Sequence, residues 1–127
     1  MEVVERAIAA LNARDIEAYL ACCTQDYELH TPLAAVAGVY KGPAGIRRFF
    51  ADVEDAAPNF YLELKGIRAV GANQVLGFVE VTASGRASGL PAGTPTANVY
   101  ELVEGKIRRI RIFADPEQAL EAVGLRE

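Results

Sequence analysis

The chain has no tryptophan, one methionine, one histidine and two cysteines among its 127 residues. A single histidine rules out a zinc site built on several imidazoles, and any Ser-His-Asp triad would have to use that one residue. Cys22 and Cys23 are adjacent on a segment whose spacing predicts a helix. Consecutive helical side chains diverge by about 100° and cannot make a relaxed disulfide, so both read as buried thiols, with a reactive thiol as the alternative. No apolar run approaches the roughly 18 residues that cross a bilayer, so no membrane partner is expected. The N-terminal stretch mixes carboxylates with its apolar residues and lacks a basic segment followed by a purely apolar one. No signal peptide is expected, and the default location is cytoplasmic. Cationic charge is not in excess either. The net charge is −4 with both signs dispersed, which leaves no reserve of cations for a nucleic-acid backbone.

What is present is an ordinary globular balance, 51% hydrophobic and 24% charged, in a length that suits one core. Residues 1–127 are therefore expected to form a single domain, with no repeat, linker or low-complexity stretch. Val4, Ala7, Ile8 and Leu11 recur at helical spacing, and Asp15 is placed to cap a second helix running through Tyr19 to Cys22. Tyr27 to Thr31 reads as a short strand ending at Pro32. Pro43 starts a helix over Gly42 to Asp55 with Ile46, Phe49, Phe50 and Val53 as its apolar stripe.

From Phe60 the apolar period falls to two, predicting strands at Phe60 to Val70, Gln74 to Ala83, Thr96 to Val103 and Lys106 to Phe113. Gly71-Ala72-Asn73 and Glu104-Gly105 supply the turns, while Gly85 to Thr94 is a Gly/Pro-rich loop without the strand-then-helix setting of a phosphate site. Asp115, Pro116 and Gln118 open a final helix that Gly124 ends, which explains Asp115 as a cap. The order is that of an α+β fold, an antiparallel sheet with helices on one face.

Three segments, Asp15-Ile16-Glu17-Ala18, Tyr40-Lys41-Gly42 to Phe50, and Glu104-Gly105-Lys106-Ile107 through Ile112-Phe113-Ala114-Asp115, together with this order, resemble the SnoaL-like branch of the nuclear-transport-factor-two-like and ketosteroid-isomerase-like superfamily. The likeness spans nearly the whole chain. It implies a cone-shaped barrel of a strongly curved, mostly antiparallel sheet wrapped on N-terminal helices, with an internal pocket and an outer sheet face used for homodimers. On that geometry Gly77, Val79, Val81 and Ala83 face inward with Thr96, Asn98, Tyr100, Leu102, Ile110 and Ile112, while Glu80, Glu101, Arg109 and Arg111 face out.

The superfamily's catalytic positions, carried over one by one, find little here. The isomerases' base before a proline corresponds to Thr31, their tyrosine donor to Ala7 and their second donor to Asn98. The epoxide hydrolases' charged groups correspond to Val79, Val81 and Ile112. The resemblance thus implies a pocket for a small apolar molecule, without cofactor or metal, and two known chemistries are disfavoured.

His30 is the best candidate acid or base, with Asp26 placed to orient it; the alternative is a histidine packed under the first helices, and an Asp26 that bonds nearby backbone. Asn98 is expected to be buried, so its amide needs partners, which a ligand carbonyl or hydroxyl could supply. Tyr19 and Tyr100 read as aromatic wall with a polar tip, Tyr19 equally as core, and Phe50 as core that also backs the wall; Thr31, Val79, Val81 and Ile112 complete the expected ligand contacts. Three functions remain open: cofactor-independent isomerase, cyclase or hydratase chemistry on a cyclic or aromatic compound, a non-catalytic ligand-binding module, and a dimeric interaction module.

Overall fold

The structure is a computed structural model that describes residues 2–32, 38–56, 58–82 and 94–124. Its order is α1 (Glu2–Asn12), α2 (Ile16–Ala21), β1 (Cys23–Thr31), β2 (Gly38–Lys41), α3 (Gly42–Ala56), β3 (Tyr61–Val70), β4 (Gln74–Thr82), β5 (Thr94–Val103), β6 (Lys106–Phe113) and α4 (Pro116–Ala122).

Helix α1 forms because Val3, Val4, Ala7, Ile8 and Leu11 bury one face. It stops where Arg14 takes a left-handed φ of 58° and its amide donates to the Leu11 carbonyl. Asp15 then caps α2 by accepting from the Ala18 amide at 3.1 Å. The Arg14 guanidinium donates to the carbonyls of Leu11, Pro58 and Phe60 and pairs with Glu54, so this corner of the helical layer is tied to the approach to β3.

The six strands make one open sheet in the order β2-β1-β6-β5-β4-β3. All neighbours are antiparallel except β1 and β6, which are parallel. One face wraps α1, α2 and α3, and the core lies between them, with Tyr19 edge-on to Phe50 at 5.3 Å and Tyr40 edge-on to Phe49 at 5.2 Å. Bulges in β3, β6 and β1 supply extra twist of the kind that curls a sheet. The one in β6 is informative. Ile107 pairs with Leu102 and Arg109 with Glu101, so Arg108 is the unmatched residue, and Ile107, Ile110 and Ile112 all reach the inner face.

Several expectations are corrected. Strand β2 was not foreseen, and β1 begins at Cys23, so the second cysteine lies on a strand; both thiols are free and buried. The sheet is not wholly antiparallel. Helix α4 packs on the other face, its Ala119, Leu120 and Val123 against Leu76, Ala97 and Val99, so the helices occupy both faces. Thr94 opens β5 and is no part of a loop. Ala83 and residues 83–93 lie outside the described residues.

Candidate functional site

The inner face of the sheet and the helices enclose an apolar cavity of about 30 Å³. Ala7, Ile8 and Leu11 of α1, Tyr19 of α2 and Phe49 of α3 close it on the helical side. Leu29, Leu62, Val81, Ile110 and Ile112 close it on the sheet side, with Phe60 just before β3. Its polar groups come from Tyr19 and from three alternate residues of β5, Thr96, Asn98 and Tyr100, which strand periodicity puts on one face.

These polar groups form two short chains. The Thr96 hydroxyl donates to the Val79 carbonyl at 2.9 Å and lies 3.4 Å from Asn98 Oδ1. Asn98 Nδ2 donates to Tyr100 Oη at 3.0 Å. On the other wall Tyr19 Oη and Tyr27 Oη are 2.6 Å apart. Burial pushes the Tyr100 phenol up to about 12, and it raises Tyr19 and Tyr27 well above the ordinary phenol value. All three are therefore neutral hydrogen bonders at neutral pH.

One wall is positioned by an unusual contact. The Asn12 side chain acts as a strand partner to Leu62, its Nδ2 donating to the Leu62 carbonyl and its Oδ1 accepting from the Leu62 amide, both at 2.8 Å. This ties the end of α1 to the outer edge of β3 and holds Leu11 and Leu62 in the wall.

Of the residues expected at the site, Tyr19, Val81, Asn98, Tyr100 and Ile112 line the cavity. Val79 and Phe50 are buried but stand behind the lining, Val79 offering its carbonyl to Thr96 and Phe50 backing Tyr19, while Thr31 is buried at the end of β1 and lines a separate groove. His30 and Asp26 are not brought together. His30 Nε2 meets Glu28 Oε1 at 2.9 Å, with its side chain 40% exposed, so the alternative of a histidine packed under the helices is not found either. Asp26 accepts from the Thr24 hydroxyl at 2.7 Å and the Arg108 guanidinium at 3.2 Å, which together hold its carboxyl below the usual range. Asp115 accepts from the Glu117 amide as the cap of α4. Leu29, Phe60 and Leu62 were missed as lining residues, as were Ala7, Ile8, Leu11 and Phe49 on the helical side, and so was Tyr27 as the partner of Tyr19. The pairing of β1 with β6 could have suggested Leu29, but nothing in the sequence announces the Tyr19–Tyr27 bond.

Among the described residues no group of three His, Cys, Asp or Glu side chains is placed to hold a metal, and no helix is long and apolar enough to cross a membrane.

The sequence pattern of the SnoaL-like domain matches residues 4–110. The chain belongs to this family. No curated protein matches the sequence. Solved structures share the SnoaL-like fold closely. TerC, crystallised with polyporic acid, superposes with a TM-score of 0.78 at 22% identity over 97% of this chain and 96% of its own. A protein of ketosteroid isomerase-like fold from Catenulispora acidiphila, in complex with trimethylamine, gives 0.76 at 16% identity over 98% and 94%. A cystatin-fold protein from Novosphingobium aromaticivorans gives 0.70 at 27% identity over 88% and 95%.

Proposed function

We propose that this SnoaL-like domain binds a small, mostly apolar cyclic or aromatic compound through an oxygen that accepts hydrogen bonds. The observation that carries the reading is a surplus of buried donors. The single hydroxyl hydrogen of Thr96 is used on Val79, one Asn98 amide hydrogen is used on Tyr100, and the second amide hydrogen and the Tyr100 hydroxyl hydrogen meet no acceptor among the described residues. Turning the amide over gives the Tyr100 hydrogen to Oδ1 and an amide hydrogen to Thr96, and one N–H is still left. The Tyr19–Tyr27 pair likewise uses one of its two hydrogens internally. A buried donor without an acceptor costs about 1–3 kcal/mol, which a ligand carbonyl or phenol oxygen would recover.

Holding is favoured over transforming, because the cavity wall formed by the described residues carries no imidazole or carboxylate. If chemistry takes place, Asn98 and Tyr100 would stabilise a developing enolate oxygen, and the proton would leave by a group other than His30. Two measurements test the reading. Mass analysis before and after incubation distinguishes a returned ligand from a product, and Asn98→Leu is expected to weaken cyclohexanone binding about tenfold while leaving methylcyclohexane unchanged. Equal affinity of the native protein for the ketone and the hydrocarbon would refute it.

We also propose that the outer sheet face meets a second copy of the chain. Half-buried Arg109 and Arg111 share that face with the acidic Glu28 and Glu101, both of which pair with Arg109. A two-fold contact lets the exposed parts of these side chains meet opposite charges of the other copy. Sedimentation at micromolar concentration is expected to give a dimer that Arg111→Glu dissociates; a native monomer would reject the proposal.

A further inference from the structure

Ile112 belongs to two hollows at once. Its side chain lines the 30 Å³ cavity, and it also lines a groove of about 360 Å³ formed with His30, Thr31, Pro32, Gly38 and Val39. Among the described residues it is the only one the two share. The groove runs where the end of β1 pairs with the start of β2, His30 opposite Val39 and Thr31 opposite Gly38. On β5 the residue directly across from Ile112 is Asn98. Directly opposed side chains of a ladder start about 5 Å apart, so the polar group that meets the ligand and the wall of the groove are one cross-strand step from each other.

The sizes make the connection consequential. A hollow of 30 Å³ takes a group of about one water's size, whereas whole small-molecule ligands need roughly 300–1,000 Å³. The oxygen end of a ligand fits inside without rearrangement, and its bulk must lie elsewhere. The groove is mainly apolar, with Val39 41% exposed and Pro32 beside it.

We propose that the groove is the outer half of the ligand site and that Ile112 is the partition a ligand passes. This rests on the binding function proposed above and adds the ligand's shape. The compound is elongated, with a carbonyl or phenol end held by Asn98 and Tyr100 and an apolar tail that crosses Ile112 to lie along His30 and Val39.

The test uses the native protein with cyclohexanone, 4-propylcyclohexanone and 4-pentylcyclohexanone, read by calorimetry and by proton NMR. Because His30 is the sole histidine, its imidazole Cε1 proton reports on the groove alone. Affinity is expected to rise about threefold to fourfold per added methylene, the usual gain for burying one, and the His30 signal should shift further with each longer ketone. Val39→Asp, a change on an exposed side chain, should remove the gain from the tail, so that the pentyl ketone binds no more tightly than cyclohexanone. Ile112→Ala should speed association of the pentyl ketone several-fold. Ketones that bind in an Asn98-dependent way with no gain along the series and no movement of His30 would overturn the two-part site while leaving the binding function standing. Failure of every ketone to bind would remove both.

Discussion

The ring of Tyr100 lies across Gly77 on the neighbouring strand. A Cβ added to Gly77 would stand 3.0 Å from Tyr100 Cε2 and 3.8 Å from its Oη, and Leu64 closes the other side at 3.6 Å. Gly77 is also the cross-strand partner of Asn98, so the missing side chain makes the space in which the phenol reaches the amide.

Gly77→Ala is therefore expected to force the Tyr100 ring off its place. Overpacking at such a site costs about 1–3 kcal/mol, and the bond to Asn98 is lost with it. Urea denaturation measures the first effect and ketone affinity the second. A variant as stable as the native protein, with unchanged affinity, would show that the ring's position does not depend on the glycine.

Asn12→Ala removes both half-buried bonds to the Leu62 backbone. A loss of about 1–3 kcal/mol is expected, since one amide and one carbonyl on the edge strand lose their partner. Hydrogen exchange at the Leu62 amide is the sharper check. It should accelerate in the variant far more than amides in the middle of β5 do.

High pH should unfold the protein through its buried phenols and thiol. Tyr100 keeps its proton when folded up to about 12, while an unfolded phenol releases it near about 10. Between these values the unfolded chain binds fewer protons, so this contribution is fully present below the lower value and is lost as pH rises through the interval. Burial acts in the same direction on Tyr19, Tyr27 and Cys23, the last pushed up to about 12. The unfolding midpoint is expected to be level near neutral pH and to fall above about pH 9, the unfolding free energy dropping by about 1.4 kcal/mol per pH unit between about 10 and 12 for Tyr100 alone. A level midpoint up to about pH 11 would contradict the burial of these groups.

Asp115→Ala should cost about 1 kcal/mol through loss of the cap on α4, and Asp115→Asn, which keeps an acceptor, should cost less. Any loss of ligand binding from Asp115→Ala in excess of its loss of stability would mean that the residue does more than cap.

The strands β3 to β6 and the helices α1, α3 and α4 were legible because alternation, helical spacing and turn residues agree there. Strand β2 was not, since the four residues Gly38–Lys41 carry too little alternation to register. The apolar stripe of α4 announces a buried face, but no stripe says which side of a sheet it will cover. Among site residues, Asn98 and Tyr100 followed from the parity of β5, and Ile112 from that of β6 beyond the bulge at Arg108. The pairing of Asp26 with His30 failed for a simple reason of length. Four residues of strand span on the order of 13 Å, and Glu28, two residues from His30 on the same face, meets the imidazole first.

The unmatched residue in β6 makes that strand tolerant of one kind of change and not of another. Exchanging or excising Arg108 leaves Ile107, Arg109, Ile110, Arg111 and Ile112 in plain alternation with the same partners and faces, whereas excising Arg111, in the regular part of the strand, would turn Ile112 out of the cavity wall. Length is free at the bulge and closed beyond it.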